Sequence, residues 1–345
     1  MSAKSYRLTV PALGVDIEAD PEESLLENLL AAGVDYPHGC TSGVCGMCKS
    51  RLVSGSVEME DYVSAISDSE IEAGLILPCC ARASADCGVS PVDDGLLPPV
   101  RELMAEVASV TALTHDIVRL ELALPPGERL TYLPGQYASL AIAGRPARDF
   151  SMASCPEDPT LVFYIRQVSA EGVTAFVQRG LRAGDPVRVK GPYGVAYLRE
   201  GDLGPILGVA GGSGLAPLRA IVETALRRGM RQPIRLYFGV RTPGDLYESE
   251  ALQALAARHP NLSVTTVFSQ EAGAGARQGH LHEILEEDLA AQALADWRAY
   301  VAGPPVMVGR VEALLRRLGL PGDNCHTDPF LTQADQQRAA TGTGG

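Results

Sequence analysis

The chain has 345 residues, enough for two or three domains, and its 46% apolar and 21% charged residues are the balance of ordinary globular protein. No apolar run approaches the roughly 18 residues of a membrane helix, and no charged-then-apolar leader opens the chain, so neither a membrane span nor export is expected. The net charge of −13 is uneven, with 16 Asp/Glu against 5 Lys/Arg in residues 1–95 and near balance afterwards; this argues against a nucleic-acid partner, and fits either plain solubility or an acidic face that steers docking.

In chain order, residues 6–10 alternate and 15–19 resume after Pro11-Ala-Leu-Gly14, the pattern of a β-hairpin. A helix is predicted from Pro21 to Gly33, with an acidic first turn, apolar positions 25, 26, 29 and 30, and a glycine stop. Next come Cys40, Cys45 and Cys48, spaced C-x4-C-x2-C among glycines 39, 43 and 46. Residues 51–57 carry another hairpin signal, 68–74 a short helix, and 75–80 end in Cys79-Cys80. Residues 88–100 contain three prolines and read as a linker.

Eight cysteines in a chain of this length do not make a dense disulfide framework, and their clustering points to a metal centre in a reducing compartment. The spacing is that of plant-type [2Fe–2S] ferredoxins: four thiolates hold two irons, and a tight glycine-rich loop supplies most of them. Structural zinc and unliganded buried thiols are the competing readings, though zinc sites generally pair two C-x2–4-C knuckles. The fourth ligand is Cys79 or Cys80, since neighbours do not both bind one iron. Cys87, Cys155 and Cys325 read as ordinary thiols.

After the linker, residues 104–110, 117–124, 137–142, 161–166 and 187–190 form short alternating strands with Gly/Pro turns between them, which predicts an antiparallel barrel. From Pro205 the pattern becomes strand, helix, strand, which predicts a parallel α/β sheet. Strands fall at 206–210, 234–239 and 262–268, and helices at 218–228 and 249–258. Residues 331–345 are polar and read as a mobile tail.

Four segments carry candidate chemistry. Arg148-Asp-Phe-Ser151 sets a cation, an aromatic and a hydroxyl on one strand, with Arg148 and Phe150 facing one way and Ser151 the other. Gly172 and Thr174 stand where a helix opens, a place suited to an anion. Gly211-Gly-Ser-Gly214 joins a strand to a helix, as a dinucleotide phosphate site does, although it lacks G-x-G-x-x-G and also suits a simple packing turn. Arg241 and Asp245 follow the next strand, where a ribose or adenine would lie, and Gly303-Pro304 end the last one.

Arg-x-Phe-Ser-x-x-Ser, Gly-x-x-Thr, Gly-Gly-Ser-Gly and Tyr-x-x-Gly-Pro-Pro, in that order behind the cysteine motif, resemble a plant-type ferredoxin joined to a ferredoxin–NADP-reductase-like module over about residues 5–330. Thr114-His-Asp-Ile-Val-Arg, the run ending Ala-Tyr-Leu-Arg199, and Tyr-Phe-Gly-Val-Arg241 are similar to reductase components of bacterial aromatic-ring-hydroxylating dioxygenases, especially the naphthalene dioxygenase type. The resemblance implies a multidomain protein: a β-grasp [2Fe–2S] ferredoxin (1–92), a linker (93–100), an FAD-binding antiparallel β-barrel (101–202), and an NAD-binding α/β domain with a parallel sheet (203–330), before the tail (331–345).

It further implies Cys79 as the fourth cluster ligand, Phe150 stacked on the FAD ring, Ser151 near its N5, and Arg148 with Gly172 and Thr174 at the diphosphate. Arg166 is a lesser FAD candidate. Gly211, Gly212, Ser213 and Gly214 would receive the nicotinamide dinucleotide, and Phe330 would cover the flavin. Ala302 stands where many relatives have cysteine, and the chain runs on past Phe330. The implied function is cytoplasmic electron transfer from NADH to FAD to the cluster, then to a terminal oxygenase or a separate ferredoxin in aromatic hydrocarbon catabolism. Asp245 beside Arg241 favours NADH over NADPH. Reductases of soluble di-iron monooxygenases or of deoxysugar biosynthesis share these modules. A redox carrier or sensing module, and a zinc-stabilised interaction domain, are the non-enzyme alternatives.

Overall fold

The computed structural model describes residues 5–39, 41, 43, 46–60, 65–66, 68–92, 97–271 and 276–330. Cys40, Cys45 and the segment 331–345 lie outside the described residues. Two compact units are present: one holds the chain up to Leu97 with Tyr193–Val195, the other the rest of the described chain.

The first unit is an α+β fold. Strands β1 (Tyr6–Val10) and β2 (Val15–Ala19) form the expected hairpin. Helix α1 (Leu25–Ala31) starts at Ser24, whose side chain accepts from the Glu27 N–H while the Glu27 carboxylate accepts from the Ser24 N–H. Its apolar stripe of Leu25, Leu26 and Leu29 is fully buried with Leu8, Val10 and Tyr36. There follow β3 (Ser50–Ser54), β4 (Val57–Met59), α2 (Asp68–Glu72), β5 (Leu75–Ile76), β6 (Ala81–Ala83) and β7 (Cys87–Pro91).

Two expectations change here. The 51–57 hairpin does not form: β3 pairs with β5 and β7, while β4 leaves for a separate ladder with β6. Nor does the linker begin at residue 88. Strand β7 lies in the middle of the sheet, in the order β2-β1-β7-β3-β5, parallel to β1 and antiparallel to β3. Pro91 ends that strand opposite Ser50, a terminal position that a residue without an N–H can hold.

The second unit opens with a six-stranded antiparallel barrel. It comprises β8 (Arg101–Ala112), β9 (Ile117–Ala123), β10 (Tyr137–Ile142), β11 (Arg148–Ser151), β12 (Thr160–Arg166), helix α3 (Val173–Arg179) and β13 (Pro186–Tyr193). The order is β11-β10-β13-β8-β9-β12, and an isolated bridge from Met152 to Phe163 nearly closes the ring. Leu120, Leu122, Ala138, Leu140, Phe163 and Val189 fill its interior by strict alternation.

The parallel sheet has the order β17-β16-β15-β14-β18-β19. Its elements are β14 (Ile206–Gly211), α4 (Leu215–Arg227), β15 (Ile234–Val240), α5 (Ser249–Arg258), β16 (Leu262–Phe268), β17 (Arg277–Gln278), α6 (Leu281–Leu289), β18 (Arg298–Gly303), α7 (Pro305–Arg317) and β19 (Cys325–Pro329). A short 3-10 turn, Gly212–Gly214, runs straight into α4, so that helix begins three residues before the expected Leu218. Every residue of β14 is buried, as both faces of a central parallel strand must be. One buried cluster contains Ile117, Val162 and Tyr164 of the barrel together with Leu218, Ile221 and Phe238 of the α/β layers, so barrel and sheet share apolar core. Among the described residues no helix is long and apolar enough to cross a membrane.

Replacing Ser24 with Ala removes the hydroxyl half of the α1 capping box and is expected to destabilise the first unit by about 1 kcal/mol. Denaturant melts of Ser24→Ala beside Ser24→Asp check this, since aspartate retains an acceptor at that position and should stay near the parent.

Candidate functional site

In the first unit the sequence brings thiols together across 31 residues. The Cys48 Sγ donates to the Cys79 Sγ at 3.3 Å, and Cys80 Sγ lies 3.6 Å from Cys79. Cys48 and Cys80 are almost wholly buried beside Ile66 and Leu77. Hydrogen bonds from Cys48, then from Cys80 and the Gly43 N–H, draw the Cys79 thiol down to about 3 against the opposing effect of burial. A sulfur so readily ionised, aimed at a second thiol, is a donor set for thiophilic metal.

In the second unit, β11 places Ser151 opposite Tyr137 and Phe150 opposite Ala138 on β10. Ser151 is buried, while Arg148 and Phe150 are half-buried on the other face, as alternation requires. The Ser151 hydroxyl donates to Asp328 Oδ2 at 3.0 Å. Burial lifts the Asp328 carboxyl to about 6, the Ser151 hydrogen bond pulls the other way, and Asp149 adds repulsion. Asp328 lies on β19 opposite Ala302, and the Phe330 N–H donates to the Gly303 carbonyl at 2.8 Å. The barrel edge and the ends of β18 and β19 therefore meet at Ser151. Gly172 precedes α3, and no side chain caps that helix's first turn. The Thr174 hydroxyl is turned back to accept from the Val168 N–H at 3.4 Å.

A cleft of about 320 Å³ opens at the C-terminal ends of β14, β15 and β16. It gathers Arg166, Gly211, Gly212, Arg241, Asp245 and Pro304 from four segments of the sequence. Gly214 faces away from it, because an added Cβ would lie 2.1 Å from the Ala302 carbonyl oxygen. The glycine turn thus serves close backbone packing against β18 as well as opening the cleft. Arg241 pairs with Asp245 at 2.6 Å and with Asp116 at 3.5 Å, and Arg166 pairs with Asp116 at 2.8 Å. Although burial opposes it, hydrogen bonds from Arg241 and Thr242 hold the Asp245 carboxyl below its ordinary range. His115, Asp116 and Asp245 have the spacing of a cation site, but two guanidinium groups already neutralise the acids.

Arg166 differs most from expectation, since it lines the cleft of the parallel sheet through its pairing with Asp116. Two residues at these sites carry no mark of their own in the sequence, Asp116 and Asp328, whereas Tyr247 is visible there as a neighbour of the strand end, six residues after Arg241. Asp116 and Asp328 sit inside the segments Thr-His-Asp and Asp-Pro-Phe, yet nothing local marks an acid whose partners are 50 and 177 residues away.

Three family models match in succession: a 2Fe-2S iron–sulfur cluster binding domain over residues 9–84, an oxidoreductase FAD-binding domain over 104–197, and an oxidoreductase NAD-binding domain over 209–313. The chain is 38% identical over 313 residues to the ferredoxin–NAD(P)(+) reductase component of the naphthalene 1,2-dioxygenase system of Pseudomonas putida, covering 89% of this chain and 93% of that one. It is 30% identical to the reductase component of propane 2-monooxygenase from Gordonia sp. (strain TY-5), over 96% and 99% of the two chains. Among solved structures it is similar to an Amycolatopsis cytochrome P450 reductase, with a TM-score of 0.72 and 32% identity over 94% of this chain and 98% of that one.

The raised carboxyl of Asp328 makes a pH-dependent prediction. Ionising it costs stability, fully so above about 6 and not at all below the ordinary carboxylate range. Asp328→Asn should therefore exceed the parent in unfolding free energy at pH 8, by on the order of 1–3 kcal/mol, and the gap should shrink by roughly half at pH 5. Denaturant melts at the two pH values measure it; a gap that widens at low pH would refute it.

Proposed function

The chain belongs to the family of ferredoxin–NAD(P)(+) reductase components, and from that premise we propose that it delivers electrons to a ring-hydroxylating dioxygenase or to that oxygenase's separate ferredoxin. Its 2Fe-2S, FAD-binding and NAD-binding domains make it an NADH-dependent oxidoreductase. When bound, these groups supply the relay itself, from NADH through FAD to the [2Fe–2S] centre. The observation that carries the reading is the placement, in one unit, of a glycine-lined dinucleotide cleft and the Phe150–Ser151 strand, both reaching the ends of β18 and β19.

The residues present fit each group. Cys48 and Cys79 would hold the cluster with Cys40 and Cys45, a place suited to the Cys79 thiol, which lies 3.3 Å from Cys48 and is drawn toward the thiolate by its hydrogen bonds. Arg148 and Phe150 share one face of β11 and would take the flavin's diphosphate and ring, with Gly172 and Thr174 beside the uncapped start of α3. Ser151 and Asp328 form a hydroxyl–carboxyl pair able to hold a proton next to the flavin ring, since the carboxyl titrates near 6. Phe330 is tied to Gly303 through its own N–H, which suits it to shield that site from water.

Gly211, Gly212 and Ser213 would face the dinucleotide, with Gly214 setting their depth and Gly303-Pro304 bordering the same turn. Arg241 is held by two carboxylates and is therefore poorly available to a 2′-phosphate, which favours NADH. The reducing, NADH-supplying cytoplasm suits such a chain. The relatives serve dioxygenase, monooxygenase and demethylase systems, and the dioxygenase assignment rests on the higher identity to the naphthalene systems.

Two measurements test this. Cys79→Ser should lose the iron–sulfur absorption and reduction of cytochrome c while keeping flavin and dye reduction by NADH, and Cys80→Ser should keep both. Reconstitution with a purified ring-hydroxylating dioxygenase, with and without its ferredoxin, should give NADH-dependent product; tighter saturation with NADPH would overturn the cofactor preference.

A further inference from the structure

The turn that lines the dinucleotide cleft contains a peptide that glycine alone does not hold still. Gly212 is left-handed, with φ of +55°, and an added Cβ there would meet only Arg166 Nη1, at 3.4 Å. Gly211 precedes it and Gly214 follows two residues later, so the peptide between Gly212 and Ser213 sits in the most pliable part of the chain at this site. Gly214 is locked by its contact with Ala302, but Gly212 has no such wall. The Gly212 carbonyl accepts a 3-10 hydrogen bond from the Leu215 N–H, a geometry poorer than that of an α-helix.

It accepts one more, at 2.9 Å, from the hydroxyl of Tyr247. Tyr247 is 4% exposed and clamped by two aromatic edges: Tyr164 of barrel strand β12 at 5.3 Å and 84°, and Phe238 of β15 at 5.4 Å and 87°. The next residue, Glu248, is left-handed with φ of +57° and accepts from the Tyr164 hydroxyl at 2.8 Å. Arg219 of α4 in turn donates to Tyr164. A ring held from the barrel, from β15 and through its neighbour has no room to withdraw its hydroxyl. Burial raises the tyrosine's pKa far above neutrality, so the hydroxyl remains a donor.

We propose that Tyr247 is a positioning residue for the dinucleotide: its hydroxyl fixes the Gly212–Ser213 peptide so that the Ser213 N–H faces the cleft and meets the diphosphate. The C=O and N–H of a trans peptide point in opposite directions. Tethering the carbonyl to the buried tyrosine therefore turns the N–H outward, toward the space that Gly212 lines. A backbone N–H aimed there, just before α4, adds to the helix N-terminus as an anion contact. This rests on the cleft being the dinucleotide site.

Tyr247→Phe keeps both aromatic edges and removes only the tether. The holoenzyme variant should bind ADP-ribose about tenfold more weakly by calorimetry, the scale of one buried hydrogen bond, with KM for NADH rising in parallel. Flavin content, melting temperature and the rate at saturating NADH should stay within twofold of the parent or unchanged. Tyr237→Phe deletes a buried hydroxyl from the same sheet, one that donates to Asp288, without touching Gly212 or the groups that clamp Tyr247, and should leave ADP-ribose affinity as it was. Unchanged affinity in Tyr247→Phe, or an equal loss in Tyr237→Phe, overturns the proposal. So does a Ser213 amide whose hydrogen exchange in the wild-type protein is unaffected by ADP-ribose, a measurement independent of how either variant folds. Failure of the wild type to oxidise NADH while it binds ADP-ribose would sink the functional reading and leave the tether standing.

Discussion

The hydrogen bond from Ser151 to Asp328 joins side chains 177 residues apart, and the second unit is organised around the junction it marks. A short edge strand of the barrel meets the last strand of the parallel sheet there. Neither partner is at ease alone. Ser151 is a buried hydroxyl that needs an acceptor, and Asp328 is a carboxyl raised by burial. Their contact satisfies both and fixes the barrel's Arg148–Ser151 strand beside Ala302, Gly303 and Phe330. A fold that did not hold this junction would leave the Arg148–Ser151 strand and the glycine-lined cleft of the sheet without a fixed relation to each other.

Charge and aromatic contacts extend the same junction away from Ser151. Asp116 on the barrel accepts from Arg166 and approaches Arg241 beyond β15. Tyr164 on the barrel donates to Glu248 and packs against Tyr247. Apolar side chains of both layers lie in one buried cluster. Hydrophobic area supplies most of the attraction, while the hydrogen-bonded groups select one registration among the many that area alone would allow. Buried polar groups are costly when mispaired, and this makes them selective.

The cysteine site obeys a different logic. Among the described residues, Cys48 and Cys80 both approach Cys79, and the converging sulfurs bring their own electrostatic problem. Hydrogen bonds at Cys79 ease the placing of negative charge in a buried pocket. A strand that the prolines had disguised, β7, runs through the middle of the first unit's sheet. Proline at its last position and glycine at its second weaken a local reading of strand, and tertiary pairing with β1 and β3 overrides it.

Much of this chain is legible without coordinates. Cysteine spacing, the alternation of barrel strands, the strand–glycine turn–helix at 206–227 and the order of the three domains are local or periodic properties, and local properties survive translation into one dimension. So do Arg148, Phe150 and Ser151 as a group, because a strand puts neighbours two apart on one face. What only the tertiary structure decided are the pairings between distant segments. Asp328 as the partner of Ser151, Asp116 as the partner of two arginines, Tyr247 beneath Gly212, and the departure of β4 from β3 all rest on contacts whose sequence separation carries no periodic signal. A carboxylate's worth at a site depends on what surrounds it, and burial is a property of the folded chain alone.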